Sequence, residues 1–303
     1  MSKQENTWKL FAALFGLSAI WGLSFVFIKI LGTNVGVAGV VFWRCLAGAF
    51  VLLPFMILQQ RKTRKKIPWI PLIVVGIINV CIPWLLISWS ETLIPSSTAS
   101  ILNATTPLWA LLLGAVFFKT NATFRQFIGV CIGFIGIVIL LEWRIDVLWT
   151  GAFVGVGTML IATFCYALGS HLTKRWLNGV SVLTTATVTL FVGAIGGGLL
   201  AVRESQASFL TIDSIETVLA IIGLGCLGSG VAQVLYYYMV SAGSAQFATN
   251  VTYLIPVTAI GWGAFLLDEI ISLYTLTGLL VILVGVYLAS GRKLYVRPSV
   301  RKG

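Results

Sequence analysis

The chain has 303 residues, 58% of them hydrophobic and 10% charged, with a mean hydropathy of +1.00 and a formal net charge of +11. No soluble domain of this length has that balance, so the chain reads as an all-α integral membrane protein with little mass outside the bilayer. The positive charge would point to nucleic acid in a soluble protein; here it reads as a topology signal, with anionic lipid headgroups as its partner and no nucleic acid.

Taken in order, the apolar segments fall at roughly 8–30, 35–58, 68–90, 96–117, 124–141, 151–172, 181–202, 216–240, 246–267 and 272–291. Each has the length and polarity of a membrane-spanning helix, which predicts ten spans with short connections. The first is too long for a signal-peptide core and lacks a suitable small-residue cleavage site, so it is read as a span. Ten spans leave both termini on one side. With the termini in the cytosol, 16 of the 20 basic residues fall inside, including Arg61, Lys62, Arg64, Lys65, Lys66 and the tail 292–303. Of the nine acids, only Glu5 falls inside; the others, Glu91 and Glu269 among them, fall at outer ends or loops. That asymmetry predicts a multi-pass inner-membrane protein with cytosolic termini.

The stretch from Ser96 to Leu140 is written twice. Shifted by 149 positions without a gap, Ala99 meets Ala248, Pro107 meets Pro256, Gly114 meets Gly263, Gly129 meets Gly278 and Gly136 meets Gly285. This register predicts an internal duplication, with repeats at 8–141 and 151–291 and a boundary in the turn 142–150. Five spans per repeat is an odd number, so the second repeat is expected to insert upside down relative to the first. Inverted repeats permit alternating access about a midplane site. Pro107 and Pro256 fall at matching mid-span positions. Each frees a helix carbonyl, so both are expected to act as hinges bordering a cavity.

Polar side chains recur on single helical faces. Ser18, Trp21, Phe25 and Lys29 form one in the first span, and Thr163, Tyr166, Ser170 and Lys174 form its counterpart. Trp84, Ser88 and Trp89 mark the third span, and Ser229, Gln233 and Tyr237 the eighth. Ser96, Ser100, Asn103 and Pro107 share a face of the fourth, and Gln246, Thr249 or Asn250, Tyr253 and Pro256 share one of the ninth. Interhelical hydrogen bonding accounts for a single Ser or Thr; the collected stripes point to a cavity. Arg44, about 14 Å into the second span at 1.5 Å per residue, is either a functional charge or a structural one holding freed carbonyls. Lys29 and Lys174 sit at span ends, where snorkelling to headgroups is expected, and His171 reads as interfacial. The expected binding set is Trp21, Arg44, Trp84, Trp89, Asn103, Tyr166, Gln233, Tyr237 and Tyr253.

Several chemistries lack their residues. The five cysteines lie in apolar segments without C-x-x-C or metal spacing, so neither disulfides nor a metal site is expected. There is no P-loop pattern. No carboxylate is placed at mid-span, which argues against a buried acidic proton carrier, and no cofactor is expected.

The segments Ala19-Ile20-Trp21-Gly22-Leu23-Ser24-Phe25 and Phe42-Trp43-Arg44-Cys45-Leu46-Ala47 with Pro54, the paired prolines and glycines, and the Asp268-Glu269 turn together resemble the EamA-type branch of the drug/metabolite transporter superfamily. The resemblance covers nearly the whole chain. It implies a ten-helix fold with a central cavity and a role in exporting amino acids, related metabolites or toxic compounds. Members often carry a Glu after both the fourth and ninth spans; here the first copy reads Lys119-Thr120, leaving Glu269 alone. The expected function is therefore transport of a small molecule, export of amino acids or related compounds being favoured, by a secondary carrier or facilitator and not by an enzyme. The aromatic set favours amino acids or small aromatic solutes, while Arg44 keeps an anionic group open. A membrane-embedded enzyme or a lipid-handling scaffold is the competing reading. A catalytic version of it needs convergent acids, histidines or a metal site in the membrane.

Overall fold

The computed structural model describes residues 3–63, 66–117, 123–140, 151–203, 210, 212, 214–242 and 251–290. Every long regular element among them is a helix. In chain order these are α1 (Lys3–Thr63), α2 (Trp69–Gly76), a π-helical stretch (Ile77–Cys81), α3 (Ile82–Leu93), α4 (Ser96–Asn103), α5 (Thr106–Phe117) and α6 (Phe124–Leu140). Then come α7 (Gly151–Trp176), α8 (Val182–Arg203), α9 (Ile215–Ile221), a second π-helical stretch (Ile222–Val231), α10 (Ala232–Ala242), α11 (Val251–Leu266) and α12 (Leu273–Ser290). The repeat boundary at 142–150, Lys119, Gln246, Thr249, Asn250 and the basic tail lie outside the described residues.

Trp8–Lys62, Trp69–Leu93, Ser96–Phe117, Gly151–Trp176 and Val182–Arg203 are long and apolar enough to cross a membrane. The first is broken at Gly36, where φ 72 and ψ 171 put the backbone in a region that only glycine enters without strain. The chain reverses there, and the two arms of α1 are the first two segments read from the sequence. Large apolar side chains such as Phe124, Phe265 and Ile270 are exposed on the outside of the bundle. In water they would be a liability; facing lipid they cost nothing.

Helix starts follow local chemistry. Thr123 and Gln126 form a capping box: Gln126 N–H donates to Thr123 Oγ1 at 3.4 Å, and Thr123 N–H to Gln126 Oε1 at 2.9 Å. Ser214 caps α9 through Thr217 N–H at 3.1 Å, and Ser272 caps α12 through Thr275 N–H at 3.0 Å.

The duplicated glycines lie where α6 and α12 cross. A Cβ on Gly129 would stand 2.6 Å from the Gly285 carbonyl oxygen, and one on Gly285 would stand 2.7 Å from that of Gly129. A Cβ on Gly136 would meet Ile282 N at 2.7 Å and Gly278 O at 3.1 Å. Small residues let the two backbones touch, the form of packing membrane helices use when lipid removes the hydrophobic drive between them. The first arm of α1 packs as closely on α11. Thr258 donates to Ser18 O at 2.7 Å, Trp262 Nε1 donates to Ala19 O at 3.2 Å, and a Gly22 Cβ would lie 2.8 Å from Ala259 N.

Candidate functional site: a central cavity with one charge

Between these helices lies a cavity of about 480 Å³, a size suited to a small metabolite. One wall carries Trp21, Ser24 and Phe25 of α1, and another carries Asn79, Val80 and Trp84 from the π stretch and α3. Tyr166 and Ser170 of α7 face Gln233 and Tyr236 of α10. Asn103, Thr106, Thr252 and Ile255 complete the lining from α4, α5 and α11.

Among the lining residues Arg44 is the one with a full charge. It is 8% exposed. Its guanidinium carbon lies 3.5 Å from the centre of a Trp84 ring, a cation–π contact in a desolvated place. Its Nε–H donates to Ser229 Oγ at 3.5 Å, and Ser229 in turn donates to Leu224 O, five residues back. The Trp84 indole N–H donates to the Tyr166 hydroxyl. Among the described residues no carboxylate lies within ion-pair distance of Arg44. The arginine is thus stacked and oriented on the cavity wall.

Both π stretches bear on the cavity. Asn79 and Val80 come from the first, Gly228 and Ser229 from the second. A π turn frees backbone groups and is often found at functional sites. Here the Gly228 carbonyl accepts from Trp21 Nε1 at 3.1 Å, which fixes the indole; that ring lies 6.0 Å from Tyr236. A π turn has no residue signature, so nothing in the sequence marks these stretches.

Of the expected set, Trp21, Arg44, Trp84, Asn103, Tyr166 and Gln233 come together on the cavity. Trp89 does not: it is 46% exposed on the face of α3 away from Trp84. Tyr253 packs against the apolar core and is not in the lining. The side chain of Tyr237 lies outside the described residues; its neighbour Tyr236 lines the cavity. Asn79, Thr106, Thr173, Thr189 and Tyr236 line it without having been expected.

The prolines differ from the symmetric picture. Pro107 is the second residue of α5, after a break at Ala104–Thr105. The freed Leu102 and Asn103 carbonyls accept from the Thr105 and Thr106 hydroxyls at 2.6 and 2.8 Å. Pro256 lies inside continuous α11. Neither ring lines the cavity, but Asn103 and Thr106, and Thr252 and Ile255, do.

The cavity extends toward one end of the bundle, through Ser170, Thr173 and Thr185, next to the basic residues Lys174 and Arg175. The opposite end is bridged by polar contacts. Glu269, in the turn before α12, accepts from Ser96 N–H at 2.6 Å, Ser96 Oγ at 2.9 Å and Ser97 N–H at 3.0 Å, capping α4 from across the bundle. Lys29 Nζ lies 3.5 Å from the same carboxylate, so it is an ion-pair partner and not a headgroup snorkel. Burial pushes the Glu269 carboxyl up, but the hydrogen bonds from Ser97 and Ser96 outweigh it and hold it below the ordinary carboxylate range. Glu91, read from the sequence as an outer-end or loop acid, is helical and 2% exposed in α3. Its signal was the spacing Trp84, Ile87, Glu91, which sets all three on one helix face. His171 meets Ala110 O at 2.9 Å. Among the described residues no group of His, Cys, Asp or Glu is arranged to hold a metal ion, and the described cysteines are free.

The sequence matches the model of the EamA-like transporter family over residues 8–142 and 153–291. The chain belongs to the EamA-like transporter family and is a multi-pass membrane transport protein. It is 28% identical over 295 residues to the inner membrane transporter YedA of Escherichia coli (strain K12), covering 96% of this chain and 93% of that one. It is 25% identical over 268 residues to an S-adenosylmethionine uptake transporter of Rickettsia conorii, covering 85% and 84%. A solved crystal structure with 16% identity superposes with a TM-score of 0.62 over 95% of this chain and 97% of its own, a likeness of fold alone.

Proposed function

We propose that this protein is an alternating-access carrier for amino acids or closely related metabolites that bear a carboxylate, working in export as a secondary carrier or facilitator. The observation that carries this is Arg44: a buried, stacked guanidinium with no carboxylate partner among the described residues, facing a cavity of metabolite size. Arginine holds carboxylates through paired N–H donors. Trp21, Trp84, Tyr166 and Tyr236 would pack the apolar part of the solute, and Asn103 and Gln233 would take its polar groups. The uptake transporter of Rickettsia conorii has a name consistent with this chemistry, since S-adenosylmethionine joins an amino-acid carboxylate to a flat aromatic base. Ten spans in two inverted five-helix repeats, 8–141 and 151–291, and an inner-membrane setting with cytosolic termini complete the proposal. Loading from the basic end, cytosolic by the positive-inside rule, is what export requires.

The test is ligand-induced thermal stabilisation of the purified protein by aromatic and aliphatic amino acids and by their methyl esters. Free acids should stabilise and esters should not. Arg44→Gln should lose about 1.5–3 kcal/mol of binding, the worth of a hydrogen bond to a charged group, which is roughly ten- to a hundredfold in affinity. Equal stabilisation by acids and esters would overturn the assignment.

A further inference from the structure

We propose that Glu91 is a proton-binding site whose occupancy controls the Glu269 end of the bundle, so that transport is coupled to protons. The coupling part rests on the carrier reading above; the proton site does not.

Glu91 is in the last turn of α3, which is sealed against α7 by Ser90 Oγ–H donating to Gly155 O at 2.7 Å. It is 2% exposed, and among the described residues neither carboxyl oxygen has a hydrogen-bond partner. An ionised carboxylate removed from water without hydrogen bonds costs several kcal/mol even after relaxation. A neutral, protonated carboxyl avoids most of that cost, so this arrangement holds Glu91 as the acid.

Its position gives the proton a use. Trp84 and Ile87 line the cavity, and Glu91 stands four residues beyond Ile87, about 6 Å farther along the axis. That places it between the cavity and the Glu269 end. Lys29 from the first arm of α1, Arg44 from the second and Glu269 from the turn before α12 act on it electrostatically. α4 brings Ser96 and Ser97, which do not titrate in this range, and α7 brings Tyr166, held by Trp84. Lys29 is paired with Glu269 and 34% exposed, so its long side chain has room to change partner.

With Glu91 protonated, Lys29 stays on Glu269, and Glu269 stays on the Ser96 and Ser97 amides. Loss of the proton creates a second carboxylate that competes for Lys29 and repels Glu269. Both effects loosen the tie between α4 and the turn before α12, and that end opens. Re-protonation from the newly exposed side restores the lock. The proton is the only species exchanged, taken from water and returned to it.

Two measurements test this on the full chain. Infrared spectra of the purified protein at neutral pH should contain a carboxylic-acid carbonyl band that is missing in Glu91→Gln. This needs no solute and stands apart from the carrier reading; identical spectra would show Glu91 ionised and end the proposal. The second places a probe, Ser88→Cys, in a cysteine-free background. Ser88 is 3% exposed and one turn from Glu91. Labelling by a membrane-impermeant maleimide from the Glu269 side should rise several-fold from acid to alkaline pH. With Glu91→Gln added it should stay low, and Glu91→Asp should restore the rise. Comparison at equal pH removes the titration of the thiol itself. The same pH profile with and without Glu91→Gln, or a response to sodium in place of pH, would overturn the gating role.

Discussion

At the scale of single residues, charge placement decides what this protein can do. Arg44 and Glu269 are both partly or wholly withdrawn from water, yet they are handled in opposite ways. Glu269 is satisfied by two amides, a hydroxyl and Lys29; Arg44 is held in place but not neutralised. For Glu269 the linkage has a definite sign. Its folded carboxyl lies below its unfolded value, so its contribution is present above the ordinary carboxylate range, near 4.3, and is lost as pH falls through the folded value. Glu269→Gln should therefore melt below the parent at neutral pH, by about 1–3 kcal/mol for the lost charge-assisted hydrogen bonds. The gap should close in acid. Equal melting at neutral pH would mean that the cap on α4 contributes nothing. Arg44 was visible in the sequence because a lone basic residue deep in an apolar run is conspicuous. Glu91 was not: it is seven residues from Trp84 but also near the end of its segment, where an acid ordinarily meets water. The fold buries it, with α7 closing on that turn through Ser90 and Gly155.

At the scale of elements, small residues and prolines decide where helices touch and break. The glycine register at 129/278 and 136/285 was legible because a crossing of two backbones tolerates no Cβ, and that constraint survives in both copies. The reversal was legible as the gap between the apolar runs 8–30 and 35–58, but not as a break at Gly36 itself, whose positive φ ends one helical arm and begins the next. The prolines were legible as residues and not as geometry. Thr105 and Thr106 re-bond the carbonyls before Pro107, so that helix divides, whereas α11 absorbs Pro256 without a break. This asymmetry sharpens the hinge prediction. Pro107→Ala should rejoin α4 to α5 and slow transport strongly while affinity changes little. Pro256→Ala, in a helix already continuous, should slow it less. If both act through access, cysteine accessibility at Ser100 should shift toward opposite faces of the membrane in the two variants. Parental rates and parental labelling in both would reduce the prolines to packing.

At the scale of the whole molecule, composition already marked a membrane protein, and the duplicated register predicted a two-part construction with repeats at 8–141 and 151–291. The cavity's extent could not be read from either, because it depends on two π turns and on Tyr236 turning inward. Orientation is the simplest global prediction. A reporter active only in the periplasm, fused after Gly303, should stay silent; strong activity there would invert the topology and place the open end of the cavity outside.

The central claim is that a carboxylate-bearing solute crosses by alternating access through the Arg44 cavity, and counterflow in proteoliposomes tests it most directly. Vesicles preloaded with an unlabelled amino acid from the stabilising panel should take up the labelled compound faster than empty vesicles. Uptake should saturate, and it should disappear in Arg44→Gln while that variant remains folded. Uptake that rises linearly with concentration, gains nothing from preloading and survives Arg44→Gln would contradict the account.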